Sequence, residues 1–316
     1  MSQILEVNSN ELKQELLKLE KKLKKVKIEA FIINNGKDRF FEYLKNKKIQ
    51  EKPTKVYSVT KTIISILIGI LVDKGMIKDI HVPIYHFFPQ LLQSSESRKK
   101  EISIYHLLTM TSGLGTGNFQ GANNWIDFIL KQPITEDPGT TFRYNSGDSH
   151  LLSAIINKVS GLPTAVFAEE NLFHPLGFKN YIWVKDPQGI HGGGFSLSMN
   201  IEDMMKIGLL LLQDGKFANK QIVSSDWIKQ AQAPYKSVNS SENGEYGYGY
   251  QIWTYKNNTI DNPIDFFYAN GIYGQYIFVV PKLNIVAVAK SQLQSEKQSL
   301  PALYFQDFLR GLETLE

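Results

Sequence analysis

Apolar residues recur every three or four positions at Leu12, Leu16, Leu19, Leu23 and Val26. This predicts an amphipathic helix that docks one stripe on the body and turns its lysines to solvent, opened by a capping-box-like pair, Asn8 and Glu11. Strand-like runs follow at 28–33 and 40–43, and Asn34-Asn35-Gly36 between them is a hairpin signal. Residues Ile63, Ile64, Leu67, Ile68, Ile70, Leu71 and Val72 then form an apolar run closed by Lys74 and Gly75. The run is too short to span a bilayer, which predicts a helix buried in a globular core. Prolines break the stretch 77–92 into loop and short turns.

From about 94 to 234 the period is helical. Ser103 is placed to cap a helix over 104–108, a second helix covers 125–130, and Asp137-Pro138-Gly139 turns the chain. Asp148 starts a helix carrying Leu151, Leu152, Ile155, Ile156 and Val159, which Gly161 closes, and Asn200 caps another over 201–213. Gly192-Gly193-Gly194 marks a close backbone approach. After Pro234 the period becomes that of strands, at 248–255, 264–269, 275–280 and 285–290. A turn as short as Pro281-Lys282-Leu283-Asn284 joins only antiparallel neighbours. A last helix over 300–312 turns Leu303, Phe305, Phe308 and Leu309 inward. Strands at both ends with helices between predict an α+β chain. It comprises an N-terminal helix (1–26), a discontinuous α/β domain (27–93 and 235–316) and a helical insertion (94–234).

Composition narrows the function. The 316 residues are 42% hydrophobic and 21% charged, as in an ordinary globular protein with room for a large core. The net charge of +4 is mild and its lysines cluster at 21–27 rather than along a groove, so no nucleic-acid partner is expected. Without cysteine, the chain has no disulfide, thiol nucleophile or cysteine-ligated metal. The six histidines form neither a His-Glu-x-x-His pattern nor a tight pair, so a metallohydrolase is not expected. The first residues lack the plan of a secretory leader, and no apolar stretch reaches membrane length. The chain as given reads as cytoplasmic, or as a form from which a leader has been removed.

The candidate chemistry begins where the buried helix does, at Ser58-Val59-Thr60-Lys61. Residues three apart on a helix share a face, which brings the Ser58 hydroxyl within reach of the Lys61 amine. A lysine held neutral by burial can take a serine's proton, and a helix start supplies N–H groups that favour developing negative charge. Ser97 and Lys100 have the same spacing but lie in the charge run SSESRKKE, where nothing would desolvate the lysine. Tyr144, in a loop just before a helix and beside Asn145 and Ser146, is placed to pass a proton to a leaving group. Farther on, Asn270-Gly271-Ile272-Tyr273-Gly274-Gln275 ends a strand with two glycines, which lets a substrate approach backbone donors.

Together these stretches resemble the serine β-lactamase and penicillin-binding protein superfamily, in its class C β-lactamase-like, esterase and 6-aminohexanoate-oligomer hydrolase branch. HLLTMTSGL (106–114), PGTTFRYNSGDSHLLSAI (138–155), NLFHPLGF (171–178) and GQYIFVVP (274–281) extend the resemblance over about residues 26–312. It implies a β-lactamase/transpeptidase-like fold, with an antiparallel sheet of about five strands flanked by helices and a helical domain across the cleft. It also implies Ser58 as acylated nucleophile, Lys61 as its base, Tyr144 as proton shuttle, and the N–H groups of Ser58 and Ile272 as oxyanion hole. Asn145, Ser146, Ala269, Asn270, Gly271 and Tyr273 would line the substrate site, with no cofactor.

Two positions depart from the pattern. The second motif usually reads Tyr-x-Asn, whereas here Ser146 is third and Asn145 has moved to the middle. The cation that often opens the third motif is here Ala269. A carboxylate-bearing β-lactam or D-Ala-D-Ala substrate thus loses its partner, and a small ester, amide or peptide-like substrate is expected instead. The alternatives are a penicillin-recognising carboxypeptidase or β-lactamase, and a non-catalytic sensor of the same fold. An α/β-hydrolase is excluded by the absence of Gly-x-Ser-x-Gly.

Overall fold

The computed structural model describes residues 9–241, 244–258 and 263–313, so Asn8 of the expected capping pair lies outside the described residues. An antiparallel sheet organises the chain. Its eight strands run in the order Arg39–Leu44, Ile28–Asn34, Ile285–Ser291, Gln275–Val280, Phe266–Gly271, Trp253–Asn257, Gly244–Tyr248 and Lys236–Ser241. The N-terminal hairpin thus joins the C-terminal strands through pairs such as Phe31 with Ala289 and Ile33 with Ala287. Three more strands are present than the resemblance implies, because hairpins extend the sheet at both edges.

The sheet is covered on both faces, which is why its central strands read as nearly unbroken apolar runs. Along Gln275–Val280 every residue is buried. Tyr276, Phe278 and Val280 face the helices Ser9–Lys24 and Leu300–Glu313, while Ile277 and Val279 face the larger core around the helix Thr60–Asp73. The terminal helices use the stripes the pattern picks out, burying Leu19, Leu23, Phe305, Phe308 and Leu309. Leu303 is the exception: it is 48% exposed and faces away from the sheet.

Helix boundaries follow the capping residues where a side chain bonds the first turn. Ser103 caps Ile104–Leu108 by accepting from the His106 N–H, and Asn200 caps Ile201–Leu212 by accepting from the Asp203 N–H. The helix Ser146–Ser160 begins earlier than expected. Asn145 accepts from the Gly147 N–H, and Asp148 becomes a buried residue of the first turn rather than the helix start. The single strand expected over 248–255 is two strands joined by a tight turn. A small sheet of Thr54–Lys55, Leu197–Met199 and Tyr181–Trp183 was invisible in the pattern, its strands being only two or three residues long. No single helix among the described residues is long and apolar enough to cross a membrane.

Candidate active site

Ser58 sits in the single-turn 3₁₀ helix Tyr57–Val59, immediately before Thr60–Asp73. Tyr57 has φ of +49°, a left-handed conformation costly for a residue with a side chain, so the surrounding structure must hold it. Several bonds do. The Thr60 hydroxyl donates to the Tyr57 carbonyl at 2.6 Å and accepts from the Leu197 N–H at 3.2 Å, while the Val56 N–H donates to the Leu197 carbonyl at 3.0 Å. The small sheet therefore clamps the turn that carries Ser58.

Lys61, one turn into the helix, is only 1% exposed. Its Nζ donates to Ser58 Oγ at 3.2 Å, to Ser146 Oγ at 3.0 Å and to the Gly194 carbonyl at 2.6 Å, and lies 4.9 Å from the centre of the Tyr144 ring. Burial lowers the amine from its ordinary value to about 7, against the opposing pull of Asp148. Burial pushes the Tyr144 phenol up to about 12, and Ser58 lies close enough to act on it through a side-chain hydrogen bond. The site thus holds an amine able to be neutral near neutral pH and a phenol that keeps its proton.

The Gly194 carbonyl is the member that sequence reasoning missed, although the glycine triplet signalled it. A Cβ on Gly193 would fall 2.0 Å from the Ser149 carbonyl oxygen, so only glycine lets this loop lie against the first turn of Ser146–Ser160. His150 secures the loop from behind. Its Nδ1 accepts from the Gly193 N–H at 3.4 Å, so Nε2 carries the hydrogen and donates to Asp186 at 2.9 Å, both side chains being buried.

The strand Phe266–Gly271 ends beside the turn that carries Ser58. A Cβ on Gly271 would meet the Val56 carbonyl oxygen at 2.3 Å, so the glycine sets how closely the two backbones approach. Ile272 and Tyr273 follow in the turn, 46% and 39% exposed, and the Tyr273 ring meets Tyr57 edge-on at 5.1 Å. Ala269 is buried and Asn270 half-buried in the same strand. Tyr144, Trp253 and Tyr268 stack in series, with centroids 5.6 and 6.3 Å apart, and Phe142 and Tyr248 pack against Trp253, so that Tyr144 is held in a cluster of aromatic rings.

The structure brings Ser58, Lys61, Tyr144 and Ser146 together. It corrects the substrate-binding role expected of Asn145. That side chain is 5% exposed and spent internally, accepting from the Gly147 N–H and donating to the Leu114 carbonyl and Asp148 Oδ1. Ser97 is exposed, in a stretch where Arg98 pairs with Glu96 and Asp137. Among the described residues no group of three His, Asp or Glu is arranged to hold a metal ion.

Comparison with known proteins agrees with this architecture. The 6-aminohexanoate-dimer hydrolase of Paenarthrobacter ureafaciens is 21% identical over 310 residues, covering 86% of this chain and 74% of that enzyme. Esterase EstB of Burkholderia gladioli is 26% identical over 144 residues, 39% of this chain and 36% of the esterase. The solved structure of the octameric penicillin-binding protein homologue from Pyrococcus abyssi shares the fold, with a TM-score of 0.74 at 20% identity over 96% of this chain and 78% of that one. The match to the Beta-lactamase family runs over residues 22–310, so this chain belongs to that family.

Proposed function

We propose that this protein is a serine hydrolase that works through an acyl-enzyme on Ser58, with a small neutral ester or linear amide as substrate. The observation that carries this is the hydrogen bonding of Lys61. A neutral amine has two N–H bonds and one lone pair. With the N–H bonds given to Gly194 O and Ser146 Oγ, the lone pair is left for the Ser58 hydroxyl.

As Ser58 Oγ bonds to the substrate carbonyl carbon, its proton passes to Lys61. The carbonyl oxygen becomes an oxyanion held by the N–H groups of Ser58 and Ile272. When the intermediate collapses, the leaving atom takes the Tyr144 proton, and the Lys61 ammonium returns one to the phenol. Water then attacks the acyl ester, giving a proton back through the same groups, and the acid leaves with Ser58 restored.

The test is incubation with a fluorophosphonate followed by peptide mass spectrometry, which is expected to find the adduct on Ser58 and none on Ser97. Ester hydrolysis accompanied by labelling at a different residue would sink the assignment.

The shuttle role of Tyr144 has its own signature. Tyr144→Phe is expected to lose about 10²-fold or more in kcat/KM on amides, whose leaving nitrogen needs a proton, and much less on p-nitrophenyl esters. Equal losses on both would remove Tyr144 from proton transfer.

Ala269 bears on substrate class. It offers no cation to a β-lactam carboxylate, and Arg143 is exposed and paired with Glu136 at 3.4 Å. A charge-assisted hydrogen bond is worth about 1.5–3 kcal/mol, so Ala269→Lys or Ala269→His is expected to speed β-lactam acylation by about one to two powers of ten. Melting is followed alongside because position 269 is buried. Efficient nitrocefin turnover by the unaltered protein, unchanged in folded variants, would contradict this.

A further inference from the structure

His150 and Asp186 have fully buried side chains, bonded to each other at 2.9 Å, and the mechanism above uses neither. Asp186 also accepts from the Gln188 and Ile190 N–H groups, each at 2.8 Å. Burial pushes its carboxyl up, but the bonds from His150, Ile190 and Gln188 prevail and hold it below its ordinary value. A charged acceptor on Nε2 fixes the imidazole hydrogen there, which leaves the Nδ1 lone pair for the Gly193 N–H.

That bond lies one residue from the site. The Gly194 carbonyl accepts from Lys61 Nζ at 2.6 Å, and a Cβ on Gly194 would fall 3.0 Å from Cβ of Ser146, another acceptor of Lys61. Ser146 and His150 are four residues apart in the helix Ser146–Ser160 and so share a face. The helix therefore meets the glycine loop twice, with Ser146 against Gly194 and His150 on Gly193. Gly192 is tied separately: its carbonyl accepts from Trp183 Nε1 at 2.9 Å and its N–H donates to the Val184 carbonyl at 3.0 Å.

We propose that His150 and Asp186 are positioning residues of the active site: through Gly193 they hold the Gly194 carbonyl where it takes one N–H of Lys61, and so keep the amine's lone pair aimed at Ser58. The inference rests on the acyl-enzyme mechanism proposed above. If the carbonyl withdraws, the amine loses its shortest hydrogen bond and is free to turn its lone pair away from the hydroxyl.

The experiment uses the full chain and reads the carbonyl directly. In protein labelled with ¹³C at glycine carbonyls and ¹⁵N at phenylalanine, only the two Gly-Phe pairs, Gly177-Phe178 and Gly194-Phe195, give a through-bond correlation. Lys61→Met defines the Gly194 signal without its donor. His150→Phe keeps a ring against Phe119 and Trp125 but has no nitrogen. It is expected to move the Gly194 signal toward the Lys61→Met position, leave Gly177 in place, and slow acylation by p-nitrophenyl acetate about 10²-fold. His150→Asn packs less well, yet its Oδ1 falls where Nδ1 was, so it is expected to restore the signal and most of the rate. Asp186→Asn lets an amide NH₂ face Nε2, which puts the ring hydrogen on Nδ1 against the Gly193 N–H. It is expected to move the Gly194 signal as His150→Phe does, which covers the case in which neither His150 variant folds.

A pair that only supports the fold would give rates that rank with the melting temperatures, His150→Phe above His150→Asn. That ranking, or an unmoved Gly194 signal in the folded variants, overturns the proposal. The carbonyl signal requires no turnover, so a protein that never acylates would overturn the hydrolase reading while the tether is still judged by Gly194.

Discussion

Ser58→Ala is expected to abolish turnover, by a factor on the order of 10⁶ where the uncatalysed background permits the measurement, and to leave the fold intact. Size of effect separates the roles here. On the proposed mechanism, losing one hydroxyl removes the atom that forms the acyl bond, and the oxyanion donors that remain have no covalent intermediate to stabilise. The cost to stability is small. The helix Thr60–Asp73 has Val59 at its N-cap with no side-chain cap bond, so Ser58 contributes little beyond its one hydrogen bond with Lys61, worth about 0.5–1.5 kcal/mol. The check is kcat/KM on an activated ester together with the melting temperature. Retained activity, or an inactive Ser97→Ala, would place the nucleophile elsewhere.

The second large effect concerns the sheet. A chain ending at Pro234 is expected not to fold, because it keeps the hairpin Ile28–Asn34 and Arg39–Leu44 and loses the other six strands and the helix Leu300–Glu313. Two strands alone are marginal in water. The missing part also carries Ile277, Val279, Val286 and Val288 on the face where the helix Ile201–Leu212 packs, and Phe278, Phe305 and Phe308 on the other face. Burying each of these side chains is worth about 1.5–3 kcal/mol, and together they outweigh a typical net stability of about 5–15 kcal/mol. Size-exclusion chromatography and thermal melting decide it. A monomeric fragment with a sharp cooperative transition would show that the helical region holds together without the sheet.

Local chemistry made much of this legible in the sequence. The caps Ser103 and Asn200 act on their own first turns, the Asn34-Asn35-Gly36 hairpin is set within a few residues, and Ser58 and Lys61 are one turn apart. What stayed hidden depends on distant partners. The run 248–255 looks like one strand, yet Gln251 takes φ of +58°, its N–H donates to the Leu108 carbonyl, and the Tyr250 N–H donates to the Ala231 carbonyl. Those carbonyls belong to other elements, and no pattern in the run reveals them. Asp148 was legible as a helix-start acid but not as a buried one, since it is enclosed with partners such as Ser112, 36 residues away in sequence. Asn145 and Ser146, both expected to line the substrate site, take different roles because the helix begins between them. Asn145 becomes the cap and Ser146 the partner of the amine.

The aromatic stack beside Ser58 gives the site an optical reporter. Of the four tryptophans, Trp125, Trp183 and Trp227 are 8%, 7% and 4% exposed, whereas Trp253 is half-buried and lies ring to ring against Tyr144. On the mechanism proposed above, an acyl group on Ser58 would lie near Tyr144 and change the polarity around that indole more than around the other three. Intrinsic emission from this one ring is therefore expected to follow ligand entry and decay of the proposed acyl-enzyme with colourless, unlabelled compounds, and Trp253→Phe supplies the blank.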